Sequence, residues 1–210
     1  MRPGSLVLIF VRAPERGRVK TRLAADVGDE AALRIYETLA LQTIDAARGL
    51  GDEATVRVCY TPAGAGKAVR GWLGEDGLDY RPQGEGGLGE RMQSAFRDAF
   101  DDGAERVVIV GSDLPEMSAD LLREAFDLLE RHPAVLGPAL DGGYYLLGLR
   151  SPLPAVFRGI PWSTGKVLER TLARFAEAGV EPELLALRND VDTADDLPAE
   201  WRSARIAGRP

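Results

Sequence analysis

The stretch V-V-I-V-G-S-D-L-P, Val107 to Pro115, constrains this chain more than any other. Four consecutive β-branched apolar residues form a short run of the kind that is buried on both faces of a parallel sheet. The run closes at Gly111-Ser112, one carboxylate follows at Asp113, and Pro115 prevents the strand from continuing. Strands of that type demand helices on both faces of their sheet. The rest of the chain supplies them, because short apolar runs alternate with longer segments of helical period.

The pattern predicts strands at Leu6–Val11, Thr55–Tyr60, Leu78–Arg81, Arg106–Val110, Ala134–Ala139, Tyr144–Leu149 and Glu183–Ala186. It predicts helices at Asp29–Arg48, Gly66–Leu73, Leu88–Phe100, Ala119–Arg131, Lys166–Ala178 and Ala194–Arg205, with Ser118 and Thr164 as N-caps. Two of the strands meet at Asp141-Gly142-Gly143, a hairpin signal, so the sheet is expected to be mixed and mostly parallel. No repeat, linker or low-complexity tract interrupts the 210 residues, and a single domain over 1–210 is expected.

Bulk properties exclude several classes of function. A net charge of −7 opposes nonspecific binding to nucleic acid or anionic membranes. The chain has one cysteine, Cys59, and one histidine, His132, expected to be exposed at a helix end. It therefore forms no internal disulfide and assembles no zinc site from His and Cys. No apolar run reaches membrane-spanning or secretory length, so a cytoplasmic location is expected.

Asp113 stands at the carboxyl end of its strand, the edge of an open α/β sheet where ligands bind. With so little His and Cys, an acid there points to a hard cation held by oxygen. A cap for the helix beginning near Ser118 is the other role open to it. The first strand runs into R-A-P-E-R-G-R-V-K-T-R-L, Arg12 to Leu23, where Arg12, Arg16, Arg18, Lys20 and Arg22 face one acid, Glu15. In an acidic chain this local reversal suits a polyphosphate, since Arg binds phosphate bidentately and Lys brings a point charge. A solvated charge run is the alternative. The spacing is not that of a nucleoside-triphosphatase phosphate loop.

Gln83 to Met92 contains G-x-G-x-x-G at Gly84, Gly86 and Gly89, but it follows the third strand rather than the first, which argues against an NAD fold. A Gly-rich loop bringing Gln83 to a nucleobase edge, or a plain turn, remains. Asp141 to Tyr145 joins an acid, two glycines and two aromatics whose side chains alternate, so one can line a pocket while the other packs. Pro161-Trp162-Ser163-Thr164 repeats the aromatic-hydroxyl combination at a helix start. In N-D-V-D-T-A-D-D-L, Asp190 and Asp192 share one side of an extended chain, and Asp192 is placed to meet Asp113, while Thr193, Asp195 and Asp196 suit capping.

Taken together, G-R-V-K-T-R-L, Q-G-E-G-G-L-G-E-R-M, G-S-D-L-P, D-G-G-Y-Y-L-L-G-L, P-W-S-T and D-V-D-T-A-D-D-L cover nearly the whole chain. In this order they resemble the glycosyltransferase-A, or nucleotide-diphospho-sugar transferase, superfamily. Within it they are most similar to the bacterial DUF2064-type family of glycosyltransferase-like proteins, sometimes linked to arsenosugar biosynthesis. The resemblance implies a Rossmann-like α/β/α sandwich with a mixed, mostly parallel sheet of seven or so strands. It implies that Arg12, Arg16, Gly17, Lys20, Gln83, Leu88, Gly89, Arg91 and Ser112 bind the nucleotide. Asp113 and Asp192 would hold Mg²⁺ or Mn²⁺. Gly142, Gly143, Tyr144, Trp162, Ser163 and Thr164 would shape the acceptor side, and Lys20 and Asp141 would carry the chemistry.

One departure is plain: glycosyltransferases carry Asp-x-Asp where this chain has Gly-Ser-Asp with a single acid. The basic loop is also similar to that of phospholactate guanylyltransferases, and the D-V-D-T motif to nucleotidyltransferases. The resemblance thus implies a sugar transfer from a nucleotide sugar to a small-molecule hydroxyl, with nucleotidyl transfer from a nucleoside triphosphate as the alternative. A nucleotide-binding module without turnover is the non-enzymatic reading.

Overall fold

A computed structural model describes residues 4–199 and 201. Seven strands form one sheet: β1 (Ser5–Arg12), β2 (Thr55–Thr61), β3 (Leu78–Pro82), β4 (Arg106–Val110), β5 (Ala134–Pro138), β6 (Tyr144–Leu149) and β7 (Glu183–Leu184). Their spatial order is β3-β2-β1-β4-β6-β5-β7. β1 pairs in parallel with β2 and β4, and β2 with β3, while β6 runs antiparallel to β4 and β5. The sheet is therefore mixed and mostly parallel, with its reversal at the Asp141-Gly-Gly turn. The carboxyl ends of β1 and β4 lie side by side, which puts the basic loop next to Asp113.

Strand parity fills two cores. Val7, Ile9 and Val11 of β1 face the side covered by α2 (Asp29–Arg48), α3 (Gly66–Leu73) and α5 (Ala119–Leu129). Leu6 and Leu8 face the side covered by α4 (Leu88–Asp101) and α6 (Val167–Glu177). Alternate residues of a strand point to opposite faces, and both faces here are apolar, so the result is a three-layer α/β/α sandwich. No helix among the described residues is long and apolar enough to cross a membrane.

Four local expectations are corrected. The segment read as a loop from Arg12 to Leu23 ends in a helix, α1 (Thr21–Val27), which buries Leu23 against Ala32, Leu39, Val191 and Leu197. Its N-cap position holds no Ser, Thr, Asp or Asn but Lys20, in a left-handed conformation with φ 46° and ψ 47°. Thr164 does not cap α6, which begins at Val167; its Oγ1 instead accepts from Lys166 N and donates to the Pro161 carbonyl. The last predicted helix is interrupted: a 3₁₀ turn at Ala194–Asp196 gives way to an extended Leu197 ahead of Pro198, and helical conformation returns at Ala199 and Trp201. Residues 200 and 202–205 of that prediction lie outside the described residues. His132 is only half exposed, with Nδ1 3.7 Å from the Glu183 carboxylate. Ser118 does cap α5, accepting from Leu121 N at 3.2 Å.

Candidate active-site cleft

A cleft of about 700 Å³ opens over the carboxyl ends of β1 and β4. That is the size of a small-molecule site. One wall is cationic, and every Lys or Arg lining the cleft comes from the stretch Arg12 to Arg22: Arg12, Arg18, Lys20 and Arg22. The facing wall holds Asp113, Asp190, Asp192 and Asp141, and beyond them Tyr144, Tyr145 and the Trp162–Gly165 loop.

The cationic wall is held by buried groups. Tyr36 on α2 is 4% exposed, and its hydroxyl accepts from Arg12 N at 2.8 Å and donates to Arg12 O at 2.7 Å. Burial pushes the Tyr36 hydroxyl up to about 12, against the hydrogen bond to Arg12. Ser112, itself buried, lies beside that hydroxyl on the cleft floor. Lys20 reaches across the cleft floor. Its Nζ lies 2.9 Å from Asp113 Oδ1 and 3.7 Å from Asp192 Oδ1, and it donates to the Val191 carbonyl. Arg22 takes the other oxygen of Asp192, at 3.1 Å. Val191 N in turn donates to the Asp113 carbonyl, so the two segments are tied through their backbones.

The acidic wall is organised by Asp196, which accepts from Asn189 Nδ2 and from the backbone N–H groups of Asp192 and Thr193. Burial raises its pKa, but these hydrogen bonds and that from Thr193 Oγ1 outweigh it and hold it below the ordinary range. Asp190 goes the other way. Burial, and then the neighbouring charges of Asp141, Asp192 and Asp113, push it up to about 6. Asp190 thus sits among three other carboxylates at the cleft floor.

All-oxygen donors of this kind suit Mg²⁺ or Mn²⁺. Among the described residues no three His, Cys, Asp or Glu side chains are grouped to hold a metal on their own. Asp113 and Asp192 would supply two oxygens to such a cation, and Mg²⁺ ordinarily takes its other ligands from water and phosphates.

Several residues expected at the ligand make contacts within the framework. Arg16, Gly17, Gly89, Arg91 and Gly142 do not line the cleft. Gly17, at φ 74°, makes the turn in which Arg18 N bonds the Glu15 carbonyl. Gln83 lines the cleft, and its amide donates to the Val11 and Cys59 carbonyls and accepts from Arg91, which fixes its orientation. Arg91 also clamps the Gly86 carbonyl. Gly89 makes room for an aromatic ring, since a Cβ there would lie 2.5 Å from Trp162 Nε1. Gly142, at φ 85°, lets the hairpin touch the 161–166 loop, where a Cβ would meet the Gly165 carbonyl. Leu88, Ser112, Gly143, Tyr144, Trp162, Ser163 and Thr164 do line the cleft, with Trp162 edge-on to Tyr144 at 6.4 Å. Asp141 lines it too, while its Oδ1 accepts from Gly143 N at 2.7 Å. Sequence reasoning assigns no role to Asp190, although it places it on the same side as Asp192, and it finds no signal for Tyr36, inside a helix.

A family model described as an uncharacterized protein conserved in bacteria, DUF2064, matches residues 43–164. The chain belongs to this family. A crystal structure of a candidate nucleotide-diphospho-sugar transferase from Desulfovibrio desulfuricans G20 shares 38% identity with this DUF2064 protein. It superposes with a TM-score of 0.89, covering 98% of this chain and 90% of that one. A phosphoenolpyruvate guanylyltransferase from Chloroflexus aggregans is 28% identical over 184 residues, 85% of this chain and 88% of its own. The Rv0371c protein of Mycobacterium tuberculosis H37Rv, solved in complex with manganese, shares the fold at TM-score 0.54 and 18% identity, with 98% of each chain covered. The DUF2064 chain is a transferase of this nucleotidyl- or nucleotide-sugar-transferase type.

Proposed function

We propose that the protein transfers a sugar from a nucleotide sugar to an uncharged hydroxyl acceptor. The observation that carries this is the one-sided charge of the cleft, whose cations all come from Arg12 to Arg22. That wall suits the donor's phosphates. The opposite side offers aromatics, hydroxyls and carboxylates but no lining Lys or Arg, so it repels an anionic acceptor and accepts a neutral polyol.

In this reading Arg12, Arg18 and Arg22 bind the diphosphate, and Lys20 stabilises the charge that develops on it as the sugar leaves. Arg16, exposed on the same loop, adds long-range attraction. Asp113 and Asp192 would hold a Mg²⁺ or Mn²⁺ ion, which when bound supplies further positive charge to the phosphates. The acceptor oxygen forms a bond to the anomeric carbon. The bond from that carbon to the diphosphate oxygen breaks, and the nucleoside diphosphate carries away the electron pair. The acceptor proton passes to Asp141. Tyr144, Trp162, Ser163 and Thr164 bound the acceptor.

The second reading is nucleotidyl transfer, favoured by the similarity to the guanylyltransferase. There an acceptor phosphate would attack the α-phosphorus of a nucleoside triphosphate, and pyrophosphate would leave. One experiment separates the two. The protein is incubated with Mn²⁺ and either a panel of uridine, guanosine and cytidine diphosphate sugars plus glycerol, or the corresponding triphosphates plus phosphoenolpyruvate, and products are followed by ³¹P NMR. Acceptor-dependent release of a nucleoside diphosphate, lost in Asp113→Asn, is expected. Pyrophosphate release from a triphosphate alone would replace the first reading by the second.

A further inference from the structure

We propose that Lys20 is a resident substitute for the divalent cation. The nucleotide-free protein then keeps the cation out, and cation and nucleotide enter together. This rests on the assignment of a cation to Asp113 and Asp192 made above.

Lys20 is held in a conformation that lysine seldom adopts. Its φ of 46° and ψ of 47° lie in the left-handed region, where a residue with a Cβ is strained. No side chain caps α1 to compensate. What this backbone accomplishes is delivery of an ammonium to the cleft floor. The Lys20 side chain is 6% exposed, and its Nζ meets Asp113 Oδ1, Asp192 Oδ1 and the Val191 carbonyl. Three oxygens around a buried positive charge are the surroundings a metal ion would choose. The two carboxylates stay open to the cleft on their other side, 41% and 38% exposed. With Arg22 on Asp192 Oδ2, both oxygens of Asp192 are already neutralised.

An ammonium and a divalent cation cannot share two carboxylates at contact distance, because like charges a few ångströms apart repel strongly at a protein surface. The cation therefore requires Lys20 to leave. Lys20 has somewhere to go: it stands on the same cleft wall as Arg12, Arg18 and Arg22. Donor phosphates bound on that wall offer the ammonium new oxygens and free Asp113 and Asp192. Binding of cation and nucleotide is thus positively coupled, and by linkage the coupling is reciprocal.

The consequence is a reversal of sign that a purely phosphate-binding lysine would not produce. Free Mn²⁺ is titrated by electron paramagnetic resonance against wild type, Lys20→Met and Lys20→Gln, the last keeping a donor for the Val191 carbonyl. Folding of each is checked by circular dichroism and thermal unfolding. Removing the charge should tighten Mn²⁺ binding without nucleotide by roughly tenfold or more, from the charge-charge magnitude near a protein surface. Guanosine or uridine diphosphate, with the Mn²⁺ held by free diphosphate subtracted, should tighten Mn²⁺ on wild type and have much less effect on the variants. Folded variants that bind Mn²⁺ no tighter than wild type overturn the proposal and leave the cation assignment standing. The Lys20→Met/Asp113→Asn double variant reads that assignment separately: tight Mn²⁺ binding that survives in it removes the cation from Asp113, and the proposal falls with it.

Discussion

Replacing Gly89 by alanine should destabilise the protein, and the same replacement should stabilise it once Trp162 is truncated. Gly89 lies in the first turn of α4, where alanine is the better helix former by about 0.5–1 kcal/mol. In the native protein that gain is overridden. The new Cβ would lie 2.5 Å from Trp162 Nε1 and 2.7 Å from Cε2 and Cζ2, well inside van der Waals contact. The indole is a rigid plane edge-on to Tyr144, so it must move as a body. Overpacking of this kind costs about 1–3 kcal/mol. For a chain of this size each 1 kcal/mol lowers Tm by roughly 2–4 °C. Gly89→Ala should therefore unfold a few degrees below wild type. In a Trp162→Ala background the clash is gone, and adding Gly89→Ala should raise Tm above that of Trp162→Ala alone. The assay is a double-mutant cycle by urea unfolding; the helix-propensity gain cancels, and a coupling energy equal to the overpacking cost, about 1–3 kcal/mol, is expected. Equal effects of Gly89→Ala in the two backgrounds would refute the claim that this glycine exists to seat Trp162.

Tyr36→Phe removes the hydroxyl that pairs both backbone groups of Arg12. Leaving them unpaired should cost about 1–3 kcal/mol in urea unfolding and weaken nucleotide binding by isothermal titration. Asp190 has a folded-state pKa of about 6, above its ordinary value, so the folded protein favours the protonated acid. The destabilisation caused by its ionisation should then be absent below pH ~4, grow as pH rises towards 6 and be complete above that. In chelator, Asp190→Asn should exceed wild type in Tm at pH 8, with the gap closing below pH ~4; a gap independent of pH would count against the raised pKa.

Much of the scaffold is legible in the residues themselves. The β-branched run Val107–Val110, the apolar run after Ser5 and the Asp141-Gly-Gly turn specify a mixed sheet, because strand parity and turn chemistry act over a few residues. The basic loop and Asp113 are legible for the same reason, as each lies at the end of a recognisable strand. The family motifs then name the ligand class. What only the tertiary structure decides is how distant segments share space. Lys20 meets Asp192 across 172 positions of sequence, and that contact makes an expected phosphate ligand also a counter-ion of the acidic wall. Gln83 is spent on the β1 and β2 backbone, and Gly89 and Gly142 on close approaches to the 161–166 loop. Tyr36 is a site residue only because α2 crosses the end of β1. Local pattern fixes a residue's conformational preferences; which partner satisfies its charge, its hydrogen bonds or its missing Cβ depends on the packing of segments far apart in the chain.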